Sequence, residues 1–150
     1  MADSLRARLL GTWRLVEAVG EQVDGSPPLH PHGERPVGLI VYAEDGHMAV
    51  QIMERGRAVP STADWTALTP DESAAEARTY FAYAGAFEVD EAAGTVTHHV
   101  ELSLFPAWAG RTQVRRVEFR GGELLLASSA PILTGGALVT MRLRWERASD

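Results

Sequence analysis

Short apolar runs divided by glycine-bearing turns constrain this chain more than any other feature. Residues 37–43 and 47–53 are both apolar, and only Glu44-Asp45-Gly46 separates them. An Asp-Gly pair between two apolar runs is a strong hairpin signal, because glycine reaches the left-handed backbone that a tight turn needs. The same arrangement recurs twice. Residues 86–90 and 95–102 flank Glu91-Ala92-Ala93-Gly94, and residues 112–120 and 123–128 flank Gly121-Gly122. Gly135-Gly136 precedes a last run over 137–146, and Gly11-Thr12-Trp13 opens a first run reaching about Val19. This predicts eight strands in sequence.

Two helical pieces interrupt the strands. Asp3 or Ser4 can cap a short turn through Leu9. Thr69-Pro70-Asp71-Glu72 has a capping residue, a proline at the first helical position and a glutamate at the capping-box position. The helix it starts is expected to run to about Tyr83, with Tyr80, Phe81 and Tyr83 on its docking face. Residues 20–36 and 54–68 read as irregular loops.

Eight strands joined mostly by short turns have edges to hide, and closing the sheet removes them. The expected fold is therefore all-β: an eight-stranded antiparallel up-and-down barrel, with one inserted helix and a short N-terminal helical turn, spanning residues 1–150 as a single domain. A two-sheet sandwich is the alternative. The last strand favours closure. Val139, Met141, Leu143 and Trp145 share one face, while Thr140, Arg142 and Arg144 share the other. Such a strand needs a neighbour on each edge, and the first strand is the natural partner.

Absent residues exclude several chemistries. The chain has no cysteine and no lysine, since all 14 basic residues are arginine. Disulfides, thiolate catalysis and side-chain Schiff bases are thereby excluded. The net charge is −6 and the arginines are scattered, which argues against a nucleic-acid partner. No run of 18 apolar residues suggests a membrane span, and MADSLRARLL is too short and too charged for a signal peptide. A cytoplasmic location is expected. Nothing in the sequence points to a cofactor, and the adjacent strand histidines His98 and His99 cannot converge on one metal ion.

The segments Gly11-Thr12-Trp13-Arg14-Leu15-Val16, Gly38-Leu39-Ile40-Val41-Tyr42, Asp45-Gly46-His47-Met48, Thr97-His98-His99-Val100-Glu101, Pro106-Ala107-Trp108 and Leu143-Arg144-Trp145-Glu146-Arg147 resemble the bacterial lipocalin-like proteins. The match covers nearly the whole chain. Ala107 departs from it, standing where Asn is expected before the tryptophan. The resemblance implies a calycin-type barrel in which Trp13 plugs the closed end beneath an arginine of the last strand, here Arg142 or Arg144. It also implies a likeness to small polyketide-tailoring cyclases.

Candidate site residues follow from the faces of the strands. His98 shares a face with Val96, Val100 and Leu102, taken as the interior, and is a candidate acid, base or donor. Glu17 shares the face of Trp13 and Leu15, where burial would raise its pKa and suit it to acid catalysis. Tyr42 and Gln51 are neutral groups able to orient a ligand carbonyl, and Phe105 and Trp108 could cover the barrel mouth. Arg115 and Arg116 are adjacent, so one points inward and needs a carboxylate from Glu101, Glu118 or a ligand; Arg116 is assigned to ligand binding. The resulting expectation is a cofactor-free cyclase or isomerase acting on an apolar metabolite of polyketide type, for instance by spiroacetal or cycloaddition ring closure. The alternative is a non-catalytic carrier of a hydrophobic ligand. A homodimer is left open.

Overall fold

The computed structural model describes residues 3–149. Helix α1 (Leu5–Leu9) leads into β1 (Gly11–Gln22), β2 (Val37–Tyr42) and β3 (His47–Met53). Helix α2 (Pro70–Arg78) precedes β4 (Tyr80–Asp90), β5 (Thr95–Ser103), β6 (Thr112–Arg120) and β7 (Glu123–Ser128). The short β8 (Ile132–Thr134) and the long β9 (Ala137–Arg147) complete the chain. Every pairing is antiparallel, and β9 returns to pair with β1, so the eight-stranded barrel is closed. The ninth strand, β8, is an addition: β7 and β8 occupy successive stretches of one edge of β9.

Antiparallel order sends the connections to opposite ends. The turns at 43–46, 91–94 and 121–122 lie at one end, and the connections 23–36, 54–79, 104–111 and 129–136 lie at the other. Tight turns leave the first end narrow, and α1 covers it. Trp13 is buried there, with its indole N–H donating to the Leu9 carbonyl (2.9 Å). The Arg147 guanidinium lies 3.9 Å from the Trp13 ring and donates to the carbonyls of Arg8 (2.7 Å) and Leu10 (2.6 Å). Three carbonyls at the end of α1, which lack helical partners, are thus satisfied by the plug and its covering cation.

This corrects the assignment of Arg142 and Arg144. Both point outward: Arg142 pairs with Glu21 (3.0 Å), and Arg144 with Glu123 (2.9 Å) and Glu17 (3.4 Å). Arg147 shares the inward face of Trp145 by simple alternation.

Two bulges shift the alternation. In β1 the register slips between Leu15 and Glu17, so Val16 is the extra residue. Trp13 and Leu15 point in, but beyond the slip Ala18 and Gly20 do, and Glu17 is turned outward. In β4 and β5 the register shifts between Ala84 and Gly85. Val96, His98 and Val100 point in, whereas Leu102, past the slip, is exposed. Gly85 makes this bulge feasible, because a Cβ there would collide with the His99 carbonyl oxygen.

Helix α2 has the expected capping box, with Thr69 and Glu72 each accepting from the other's backbone N–H. It ends at Arg78, and Tyr80, Phe81 and Tyr83 belong to β4 rather than to the helix. No helix among the described residues is long and apolar enough to cross a membrane.

Trp13→Ala is expected to cost about 3–5 kcal/mol in denaturant unfolding, as for other buried aromatics. Gly85→Ala should cost about 3 kcal/mol or more, since the backbone it would strike cannot rotate away. A Gly85→Ala protein of wild-type stability would contradict the role given to the bulge.

Candidate functional site

The barrel encloses a cavity of about 310 Å³, at the low end of the range for small-molecule sites. Its wall is mainly apolar, with Ile40, Val50, Ile52, Leu126 and Met141 among the lining residues. Four connections border its mouth. Pro31 and His32 come from the first loop, which is held down by paired hydrogen bonds between Gly20 and Leu29 (both 2.8 Å). Ala77 and Arg78 come from the end of α2, and β8 supplies Ile132, Leu133 and Thr134.

Phe105 and Trp108 complete the rim. Trp108 sits on a 3-10 turn and packs against Phe81 (ring centroids 5.1 Å) and Tyr83 (5.7 Å). Phe105 is about half exposed. Both aromatic side chains are therefore at the mouth, with Trp108 the more firmly seated.

A column of three hydrogen-bonded side chains stands inside the apolar wall. His98 is buried, and its Nε2 lies 2.7 Å from the Tyr42 hydroxyl. Its Nδ1 lies 2.6 Å from the Tyr83 hydroxyl. Burial is the main cause that lowers the His98 pKa to about 3, and the nearby charges of Arg115 and His99 act in the same direction. His98 is therefore a neutral imidazole at ordinary pH. Burial also raises the Tyr42 and Tyr83 pKa values, with Arg115 opposing the shift at Tyr83.

A neutral imidazole has one N–H and one acceptor nitrogen, which sets the direction of the column. Suppose Tyr83 donated to Nδ1. Nε2–H would then donate to Tyr42, whose own hydroxyl hydrogen would be left buried without an acceptor among the described residues. An unmade buried hydrogen bond costs about 1–3 kcal/mol. In the opposite arrangement Tyr42 donates to Nε2 and Nδ1–H donates to the Tyr83 oxygen. The free hydroxyl hydrogen then belongs to Tyr83, which lines the cavity, whereas Tyr42 does not. Hydrogen-bond satisfaction thus assigns the Nδ1–H tautomer and leaves the Tyr83 hydroxyl as a donor for whatever occupies the cavity.

Of the residues singled out in the sequence, His98 and Tyr42 belong to this column. Glu17 does not: the β1 bulge puts it on the outer wall, within ion-pair distance of Arg144. Gln51 also faces out and accepts from the Tyr80 hydroxyl. Arg116 is exposed, and its neighbour Arg115 is the inward arginine. His99 faces outward, with Nε2 3.4 Å from a Glu88 carboxylate oxygen but not aligned as a hydrogen bond.

Tyr83 and Arg115 were missed as site residues. The alternation Tyr83-Gly85-Phe87 carries a strand signal for Tyr83, obscured by interleaved alanines that favour helix. For Arg115 the signal was alternation with Val117 and Phe119 on the apolar face of β6, and the register sets it opposite inward Val96 and Ser128.

A closed up-and-down barrel, plugged at one end by an arginine-covered tryptophan and hollow above it, defines a protein of lipocalin class. The chain belongs to the lipocalin-like domain family, whose sequence profile matches residues 10–148. It is also similar to a protein of Aspergillus oryzae named as the 4'-hydroxy-3'-methoxypropiophenone carrier protein ppsC. The two are 33% identical over 106 residues, covering 67% of this chain and 96% of the relative.

The depressed His98 pKa has a consequence for acid stability. The unfolded chain takes up a proton near the ordinary value of 6.5, and the folded chain only near 3. This group therefore costs no stability above pH 6.5 and progressively more as pH falls toward 3. At pH 5 the cost is about 2 kcal/mol. His98→Gln should remove that component, measured as a smaller loss of unfolding free energy between pH 7 and pH 5 than in the wild type. Equal losses in the two proteins would contradict the neutral, buried imidazole.

Proposed function

We propose that the barrel binds an apolar, oxygen-bearing small molecule and carries it without changing it. The observation that carries this reading is the cavity into which Tyr83 presents a hydroxyl fixed from behind by His98 and Tyr42. A preorganised donor in an apolar cavity suits a carbonyl or ether oxygen on an otherwise apolar body. The similarity to a carrier of a propiophenone supports an aryl ketone as the class of cargo.

The chemistry expected of a cyclase lacks its acid. Glu17 is outside the barrel, and His98 is neutral with both nitrogens occupied. One observation nonetheless favours a second reading as a cofactor-free isomerase or cyclase of secondary metabolism. The Tyr83–His98–Tyr42 column could polarise a bound carbonyl through its terminal hydroxyl while the cavity holds one reactive conformer.

Calorimetric titration with propiophenones, followed by chromatography and mass spectrometry of the recovered ligand, separates the two. The carrier reading expects recovery of the same isomer at the same mass. An isomer shift at constant mass, or loss of one water, would establish the second reading and overturn the first. Ala77→Trp, at the exposed rim of the cavity, should weaken binding by about tenfold or more by obstructing the mouth. Tyr83→Phe should weaken it by about 2- to 12-fold, the equivalent of one neutral hydrogen bond. Wild-type affinity in both variants would place the ligand elsewhere.

A further inference from the structure

The polar groups facing the cavity are unbalanced in a way that the carrier reading alone does not require. Arg115 is only 9% exposed and lines the cavity. Its guanidinium has five N–H donors. Two are engaged by long contacts to neighbours on its own strand, the Val114 carbonyl (3.2 Å) and the Gln113 side-chain oxygen (3.4 Å). The guanidinium also donates toward the Tyr83 oxygen, which opposes the rise in that hydroxyl's pKa. No carboxylate forms an ion pair with it among the described residues. Glu101 and Glu118, the partners considered from sequence, are both exposed.

A buried cation without a counter-charge is costly, and proteins normally pair it. The rest of the lining makes the imbalance larger. Arg78 stands at the mouth, and no Asp or Glu among the described residues borders the cavity, although the chain as a whole has a net charge of −6. Trp145 also lines the cavity, and its indole N–H is buried without an acceptor. With the free hydroxyl of Tyr83, the described wall offers three kinds of donor and no anionic acceptor.

We propose that the ligand is an organic acid, an apolar body bearing a carboxylate that pairs with Arg115 and accepts from Tyr83. This rests on the carrier reading and replaces its neutral ketone with an acid as the class of cargo. A planar guanidinium matches a carboxylate through two parallel N–H···O bonds, and in an apolar cavity such a contact is stronger than at a surface. The carboxylate supplies the missing counter-charge, so the empty barrel holds an uncompensated cation that ligand binding relieves. Arg78 at the mouth favours the approach of the same charge.

The test uses two probes with the same body, naphthalene-2-carboxylate and the neutral 2-acetylnaphthalene, each titrated calorimetrically at pH 7 into the wild-type chain. The wild type is expected to bind the carboxylate more tightly. Arg115→Met should weaken the carboxylate by about tenfold or more while changing the ketone by less than about threefold. Arg115→Lys should restore part of the loss. Arg115→Met should also leave the thermal midpoint of the ligand-free protein unchanged or raised, since it removes an unpaired buried charge.

Binding of the ketone but not the carboxylate would overturn the acid assignment and leave the carrier reading standing. Equal weakening of both probes by Arg115→Met, with a lowered midpoint, would make Arg115 a wall residue and also overturn it. Failure of both probes to bind would count against both readings. The wild-type comparison needs no variant, so it decides the matter even if Arg115→Met does not fold.

Discussion

The seam between β1 and β9 is the interaction on which the rest of the structure depends. Their pairing extends from Trp13 opposite Arg147 to Gln22 opposite Val139, and it turns an open sheet into a barrel with an inside. The seam also brings Arg147 over Trp13 and onto the carbonyls ending α1, so closing the sheet and plugging its end are one event. With one end sealed, the long connections at the other end become the border of a mouth. A cavity remains because apolar side chains from opposing walls do not meet across it. The outer charge pairs along this seam, Glu17–Arg144 and Glu21–Arg142, are exposed and contribute about 0–1 kcal/mol each.

Inside that barrel, the requirement that buried polar atoms be satisfied dictates the site. An imidazole in an apolar interior must be neutral, and it must both donate and accept. His98 meets this with two tyrosines, and the surplus hydrogen passes to Tyr83 at the cavity wall. Plain alternation along β4 keeps Tyr83 and Phe87 on the face of His98, which lies opposite Phe87, and the extra residue of the bulge, Glu101, comes after His98 in β5. Arg115 is the contrasting case: a buried donor that the protein leaves without its natural partner. The first arrangement fixes a hydroxyl at the cavity wall, and the second leaves a guanidinium there with no carboxylate partner among the described residues.

Much of the fold was legible because turn chemistry and alternation are local. Gly46, Gly94 and the Gly121-Gly122 pair marked the hairpins, and the one-sided pattern of 139–145 pointed to closure. What failed was whatever depended on register between strands. Glu17 looked inward until the extra residue Val16 reversed the phase of β1, and Leu102 until the slip in β5 did the same. Other errors broke the alternation itself. Met48, Val50 and Ile52 already placed Gln51 outside, and Trp145 placed Arg147, not Arg142 or Arg144, on the inner face. At 80–83 the aromatic run lay against an alanine-rich helix, and propensity masked the strand. Alternation also separated Arg115, on the face of Val117 and Phe119, from Arg116, on the polar face of Glu118 and Arg120, so assigning Arg116 to the ligand broke the same rule.

The central claim is that a neutral His98, protonated on Nδ1, holds the Tyr83 hydroxyl as a donor toward the cavity. Long-range nitrogen–proton correlation spectra of the 15N-labelled protein report both ring nitrogens directly. The account predicts a protonated Nδ1 and an unprotonated Nε2 for His98, unchanged from pH 7 to pH 5. A His98 ring protonated on Nε2, or one that becomes an imidazolium within that range, would contradict it.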